Sequence, residues 1–104
     1  VTAEVGRVKL ALLSPGQLVR VQHPPFNVLV TRVDDTVHAI EDACPHSGLS
    51  LCRGRLEQHV VTCAGHNWQI DVRTGRVVSP SYATDSNPCY RVTVDGDEAV
   101  VWSE

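Results

Sequence analysis

Two short stretches hold the residues whose types and spacing suit metal chemistry. Cys44-Pro45-His46 and Cys63-Ala64-Gly65-His66 each pair one cysteine with one histidine, and sixteen residues separate His46 from Cys63. Thiolate and neutral imidazole are soft or borderline ligands, so the quartet suits either a tetrahedral zinc or an iron–sulfur centre. A zinc finger usually draws two cysteines from one segment and two histidines from the other, whereas here each segment supplies one of each. Mixed segments suit a cluster with two unlike irons, the cysteines on one and the histidines on the other. Cys52 and Cys89 fall outside the pattern and read as ordinary thiols, since nothing in the sequence sets their separation. His23, His38 and His59 lie in or beside strand-like runs and read as surface or internally satisfied side chains.

Such ligands need a rigid frame. Val, Ile, Leu and Thr recur in short runs broken by Gly, Asp and Pro, which predicts many short strands and no long helix. Strands are expected near Gln17–Gln22, Phe26–Val33, Thr36–Glu41, His59–Thr62, Trp68–Val72, Arg76–Val78, Tyr90–Val94 and Ala99–Trp102. Asp34-Asp35, Thr74-Gly75 and Asp95-Gly96-Asp97 supply turn chemistry between neighbouring runs, because Gly and Asp tolerate left-handed backbone. A helical turn near Ala11–Gln17 is limited by Pro15 and Gly16. The two Cys/His segments fall between strands, in loops of about residues 44–52 and 63–68. At 104 residues the chain reads as one domain, 1–104, with a modest core filled chiefly by Val, Leu and Ala, because it has five aromatic residues and no Met.

Charge narrows the partners. The formal net charge of −3, without any run of Lys or Arg, argues against nucleic acid. No stretch approaches the ~18 apolar residues of a membrane helix, and Glu4, Arg7 and Lys9 interrupt the N-terminal apolar tract, so no membrane partner and a cytoplasmic location are expected.

The pattern C-x-H, sixteen residues, C-x-x-H resembles the Rieske 2Fe-2S family, and so does the text around it. "CPHSGLSL" resembles that family's first box, Gly54-x-Leu56 the approach to the second, and "HNWQIDVRTG" the segment that follows; Pro80 stands where the family has a third, covering loop. The resemblance implies an all-β Rieske domain: an antiparallel β-sandwich base with two cluster-binding loops and a covering proline loop. It further implies one 2Fe-2S cluster per chain, with Cys44 and Cys63 on the buried iron and His46 and His66 on the outer one. Two ferric ions, two sulfides and two thiolates sum to zero charge, so neutral imidazoles ease the uptake of an electron. The chain departs from the family at Asn67, usually Gly, and at Ala64-Gly65, where a Pro and a bulkier residue are usual.

High-potential members of the family resemble one another in a disulfide between the boxes and in Ser and Tyr hydroxyls two and four residues past the second histidine. Here the boxes lack that second cysteine pair, and Trp68 and Ile70 take the hydroxyl positions. Hydrogen bonds to sulfur stabilise the reduced cluster, so a low potential is expected. Trp68 itself is expected to pack as core beneath the second loop rather than to serve as a docking surface. The acidic turns at Asp34-Asp35 and Asp95–Glu98 read as solvated.

The resemblance implies a stand-alone Rieske-type ferredoxin, a monomer when free, that carries one electron from a flavin-containing reductase to a terminal oxygenase of aromatic substrates. It is expected to be a carrier and not an enzyme, since an oxygenase needs a further domain with a mononuclear iron. A Rieske-like subunit of a larger oxidoreductase such as nitrite reductase, or a zinc-stabilised binding module, are the alternatives.

Overall fold

The computed structural model describes residues 3–23, 27–45, 48–65 and 67–103. Its strands are β1 (Ala3–Lys9), β2 (Leu18–Val21), β3 (Val28–Val33), β4 (Thr36–Glu41), β5 (Arg55–Glu57), β6 (Val60–Thr62), β7 (Gln69–Asp71), β8 (Val77–Ser79), β9 (Cys89–Asp95) and β10 (Glu98–Ser103), with short 3-10 turns at Leu10–Leu12 and Leu51–Arg53. A six-stranded sheet has the order β1-β10-β9-β4-β3-β2, and a four-stranded sheet the order β5-β6-β7-β8. All neighbours are antiparallel.

The larger sheet curls until its edges meet. Gly6 lies at an irregularity in the β1–β10 pairing, and a Cβ there would stand 2.6 Å from Cγ1 of Val21 in β2. A side chain at that point would push the edge strands apart, which is why the position suits glycine. Inside the curl lie Val8, Leu13, Val28, Val30, Ala39, Ala99 and Val101.

Alternation along β3 and β4 feeds a second core. Val28 and Val30 face the first, while Leu29 and Ile40 face Leu51, Val61, Ile70 and Val72 of the smaller sheet and its loops. Strands buried on both faces need the near-continuous apolar run that "VLV" provides. Truncating Leu29 or Ile40, both 0% exposed, to Ala costs about 2–5 kcal/mol. The second core also contains Cys44 and Cys63.

The three expected turns are present, with Asp34 and Gly96 at φ 53° and 63° and Gly75 at 79°. Thr36–Glu41 is found as expected, and the other expected strands are found within a few residues; the opening of Phe26–Val33 falls on residues outside those described. β1 and β5 were not expected from the sequence. Gly6 breaks the alternation of β1, and β5 offers only Leu56 between two charged residues. The helical turn sits at Leu10–Leu12, slightly earlier than Ala11–Gln17.

Candidate metal centre

The chain leaves β4 into the first loop at Cys44 and leaves β6 into the second at Cys63, and the two loops are built alike. The Cys44 N–H donates to the Leu49 carbonyl at 2.8 Å, and the Gly48 N–H donates to the Cys44 carbonyl at 2.7 Å. The same two spans recur in the second loop: the Cys63 N–H donates to the Trp68 carbonyl at 2.8 Å, and the Asn67 N–H to the Cys63 carbonyl at 3.2 Å. Both closures need left-handed backbone at the fourth residue after the cysteine. Gly48 has φ 76° and Asn67 φ 59°, and Asn is among the few side-chain-bearing residues that adopt this readily. Asn67 therefore fills the role of the glycine usual in the family. His46 and His66 lie outside the described residues; in sequence His46 falls between Cys44 and Gly48, and His66 between Cys63 and Asn67.

Side chains bind the loops to the frame and to each other. Gly65 faces Leu49: a Cβ on it would stand 2.6 Å from Leu49 Cδ1 and 3.8 Å from Cys63 Sγ. Gly54 lies on the backbone that precedes Cys63, with the Thr62 carbonyl where a Cβ would be. The buried Asp42 carboxylate accepts from Ser50 Oγ at 2.6 Å and from the Cys52 N–H at 2.9 Å, so it closes the first loop from the strand side. Behind Cys44, the amide of buried Asn87 donates to the carbonyls of Glu41 and Ala43 at 3.0 and 2.9 Å. Two charge-assisted bonds at Asp42 and two from one amide at Asn87 leave little freedom at the root of this loop.

The remaining sequence candidates fall elsewhere. Cys52 and Cys89 are unbridged thiols, and burial, followed by the charge of Asp42, pushes the Cys52 thiol up to about 12. A thiol held protonated in this way is a poor ligand. His38, His59 and Arg73 line an open cleft of about 390 Å³ near the β3–β4 turn, at the end of β4 away from Cys44. Burial and then Arg73 hold His38 below the ordinary imidazole range. His23 meets Tyr90 edge-on, with ring centroids 6.1 Å apart. Trp68 is half-buried and packs on the core that holds Cys44 and Cys63, the core role expected of it. Pro80 follows β8, whose Ser79 pairs with Gln69 next to Trp68, so this loop lies on the same side as the second box. Asp95, Asp97 and Glu98 are paired with Arg7 and Lys9, and Asp35 with Arg32. Asp42 and Asn87 were missed in the sequence, where each looks like any other polar residue beside a turn.

Cys44 and Cys63 are 2% and 0% exposed among Leu29, Leu51 and Ile70. Two soft sulfur donors that enter one apolar core, each at the start of a tight turn, suit an iron–sulfur centre. The model of the Rieske 2Fe-2S domain matches residues 5–91. The chain belongs to the Rieske family. It is 32% identical over 89 residues to the ferredoxin component of biphenyl 2,3-dioxygenase from Rhodococcus jostii (strain RHA1), covering 86% of this chain and 82% of that one. The ferredoxin of carbazole 1,9a-dioxygenase from Nocardioides aromaticivorans IC177 superimposes with a TM-score of 0.86 at 30% identity, over 95% of this chain and 96% of the other. A ferredoxin solved in complex with the oxygenase of carbazole 1,9a-dioxygenase gives a TM-score of 0.85 at 29% identity, over 97% and 92%. This Rieske protein is thus an electron-transfer component with one 2Fe-2S cluster as its cofactor, not itself an oxygenase. Among the described residues no helix is long and apolar enough to cross a membrane.

Proposed function

We propose that Cys44 and Cys63 hold one iron through thiolate sulfur and that His46 and His66 hold the other through imidazole nitrogen. The chain, a single Rieske domain over 1–104, then carries one electron at a time from a flavin-containing reductase to a terminal oxygenase acting on an aromatic or similarly apolar substrate. The observation that carries this reading is the matched pair of turns: each starts at a buried cysteine, and both cysteines enter one apolar core. The relatives in biphenyl and carbazole dioxygenase systems, one of them in complex with its oxygenase, support the choice of partners.

When bound, a 2Fe-2S cluster supplies a one-electron couple. This chain's residues do the rest. Leu49 packs against Gly65 and so joins the two loops, and Asp42 and Asn87 fix the first loop so that its ligands need not move as the charge changes. Unbridged Cys52 and Cys89 agree with a reducing, cytoplasmic compartment.

Substitution and gel filtration test the proposal. His46→Cys and Cys63→Ser should each change or abolish the visible spectrum and reduction by dithionite, whereas His38→Ala leaves both intact. The holoprotein should elute as a monomer; an unchanged spectrum in either ligand variant refutes the ligand set.

A further inference from the structure

Beside the second loop lies a groove of about 270 Å³ lined by Arg53, Gly54, Arg55, Cys63, Ala64 and Asn67. Among the described residues Arg55 pairs only along its own strand, with Glu57 at 3.0 Å, the two side chains being 75% and 69% exposed, and such a pair is worth little in water. Arg53 is exposed and makes no ion pair among the described residues. Arg20, likewise exposed and without an ion pair among them, stands on β2, which packs against the 3-10 turn that Arg53 ends. Of the acids in the neighbouring segments, Glu57 pairs with Arg55, and the oxygens of Asp42 already accept from Ser50 and Cys52.

The two acidic turns are far away. β4 runs from the Asp34-Asp35 turn toward Cys44, and β9 starts opposite Ile40 and runs back to Asp95. Both acidic turns thus lie at the end remote from the cysteines, about 20 Å along a six-residue strand. A chain of net charge −3 thus shows two of its arginines beside Cys63.

We propose that this groove receives an acidic side chain of the protein that exchanges electrons with this chain, so that the partner docks an acidic patch over the second loop. The inference rests on the reading of Cys63 as a cluster ligand. Guanidinium groups offer paired donors that match a carboxylate, and a local positive field steers such a partner despite the overall charge.

Two measurements test it. In the first, dithionite-reduced holoprotein, freed of excess dithionite, gives one electron to hexacyanoferrate(III), forming hexacyanoferrate(II), and the rate is followed by stopped flow against salt. Net charge alone predicts that the rate with this anion rises with salt; the groove predicts a severalfold fall as the screening length shrinks from ~30 Å at 0.01 M to ~8 Å at 0.15 M. Arg53→Glu with Arg55→Glu should reverse the trend, the milder Arg53→Gln with Arg55→Gln should flatten it, and Arg76→Glu should leave it unchanged. In the second, the fluorescence anisotropy of a labelled glutamate-rich peptide should rise with the wild type at low salt and not with either double variant. A rate that rises with salt in the wild type, a peptide indifferent to the arginines, or an oligonucleotide bound more tightly than the peptide would overturn the proposal. Loss of the cluster shows separately as loss of visible absorbance, while the peptide measurement still reads the groove.

Discussion

Gly65 of the second loop rests on Leu49 of the first, so closely that a Cβ on Gly65 would stand 2.6 Å from Leu49 Cδ1. Leu49 is 42% exposed, and its methyl group is the far end of a flexible side chain. Gly65→Ala should therefore cost less than about 1 kcal/mol and keep the cluster. Gly54→Ala meets the Thr62 carbonyl instead, which cannot swing aside, and should cost about 3 kcal/mol and lose iron. Urea melts of both variants, read with the visible absorbance, check the contrast; equal losses would show that the two contacts do not differ as described.

Asp42 gathers Ser50 and Cys52 onto one buried carboxylate. Asp42→Ala removes both acceptors and leaves the Cys52 N–H without this partner, for a loss of about 3 kcal/mol. The half-life of the visible chromophore in the presence of a chelator should shorten more for Asp42→Ala than for Ser50→Ala, which removes one of the two donors.

Acid sensitivity should show at Asp71. Burial by itself would raise its carboxyl, but three hydrogen bonds from Arg73, at 2.9, 3.1 and 3.0 Å, outweigh it and hold the group below the usual carboxylate range. A depressed folded value means stability that is present above the unfolded value of ~3.9 and is lost as pH falls through the folded one. With Arg73 half exposed, the contribution is under about 1 kcal/mol. Asp71→Asn should melt lower than the wild type at pH 7, and the gap should hold down to about pH 4 and narrow as the pH falls below that, read by far-ultraviolet circular dichroism.

The potential should lie near the low end of the ~ −150 to +300 mV Rieske range. Ile70, at a position where high-potential relatives place a hydroxyl, is 0% exposed and packs in the same core as both cysteines. Adding negative charge to such a site is disfavoured. A protein-film voltammogram above about +100 mV would contradict this.

Much of this structure is legible in the chain. Alternating β-branched runs with Asp and Gly turns mark β3, β4, β9 and β10, and the four ligand positions stand out because each has a distinctive side chain at a fixed spacing. Asn67 shows as a departure from the family, yet its φ of 59° keeps the backbone that glycine would give. What stays hidden depends on distant partners. β1 is a strand because β10 pairs with it, Asn87 matters because folding brings it to residues 41 and 43, and the groove sets Arg53 and Arg55 beside Cys63 and Asn67. Local sequence carries no sign of these meetings.

Electron paramagnetic resonance of the reduced protein, prepared without oxygen and assayed for iron and acid-labile sulfide, tests the mixed ligation most directly. The expected result is two irons and two sulfides per chain, with nitrogen hyperfine couplings from two imidazoles that change in His46→Cys and His66→Cys. A colourless protein with stoichiometric zinc, or a cluster whose spectrum carries no nitrogen coupling, would contradict it.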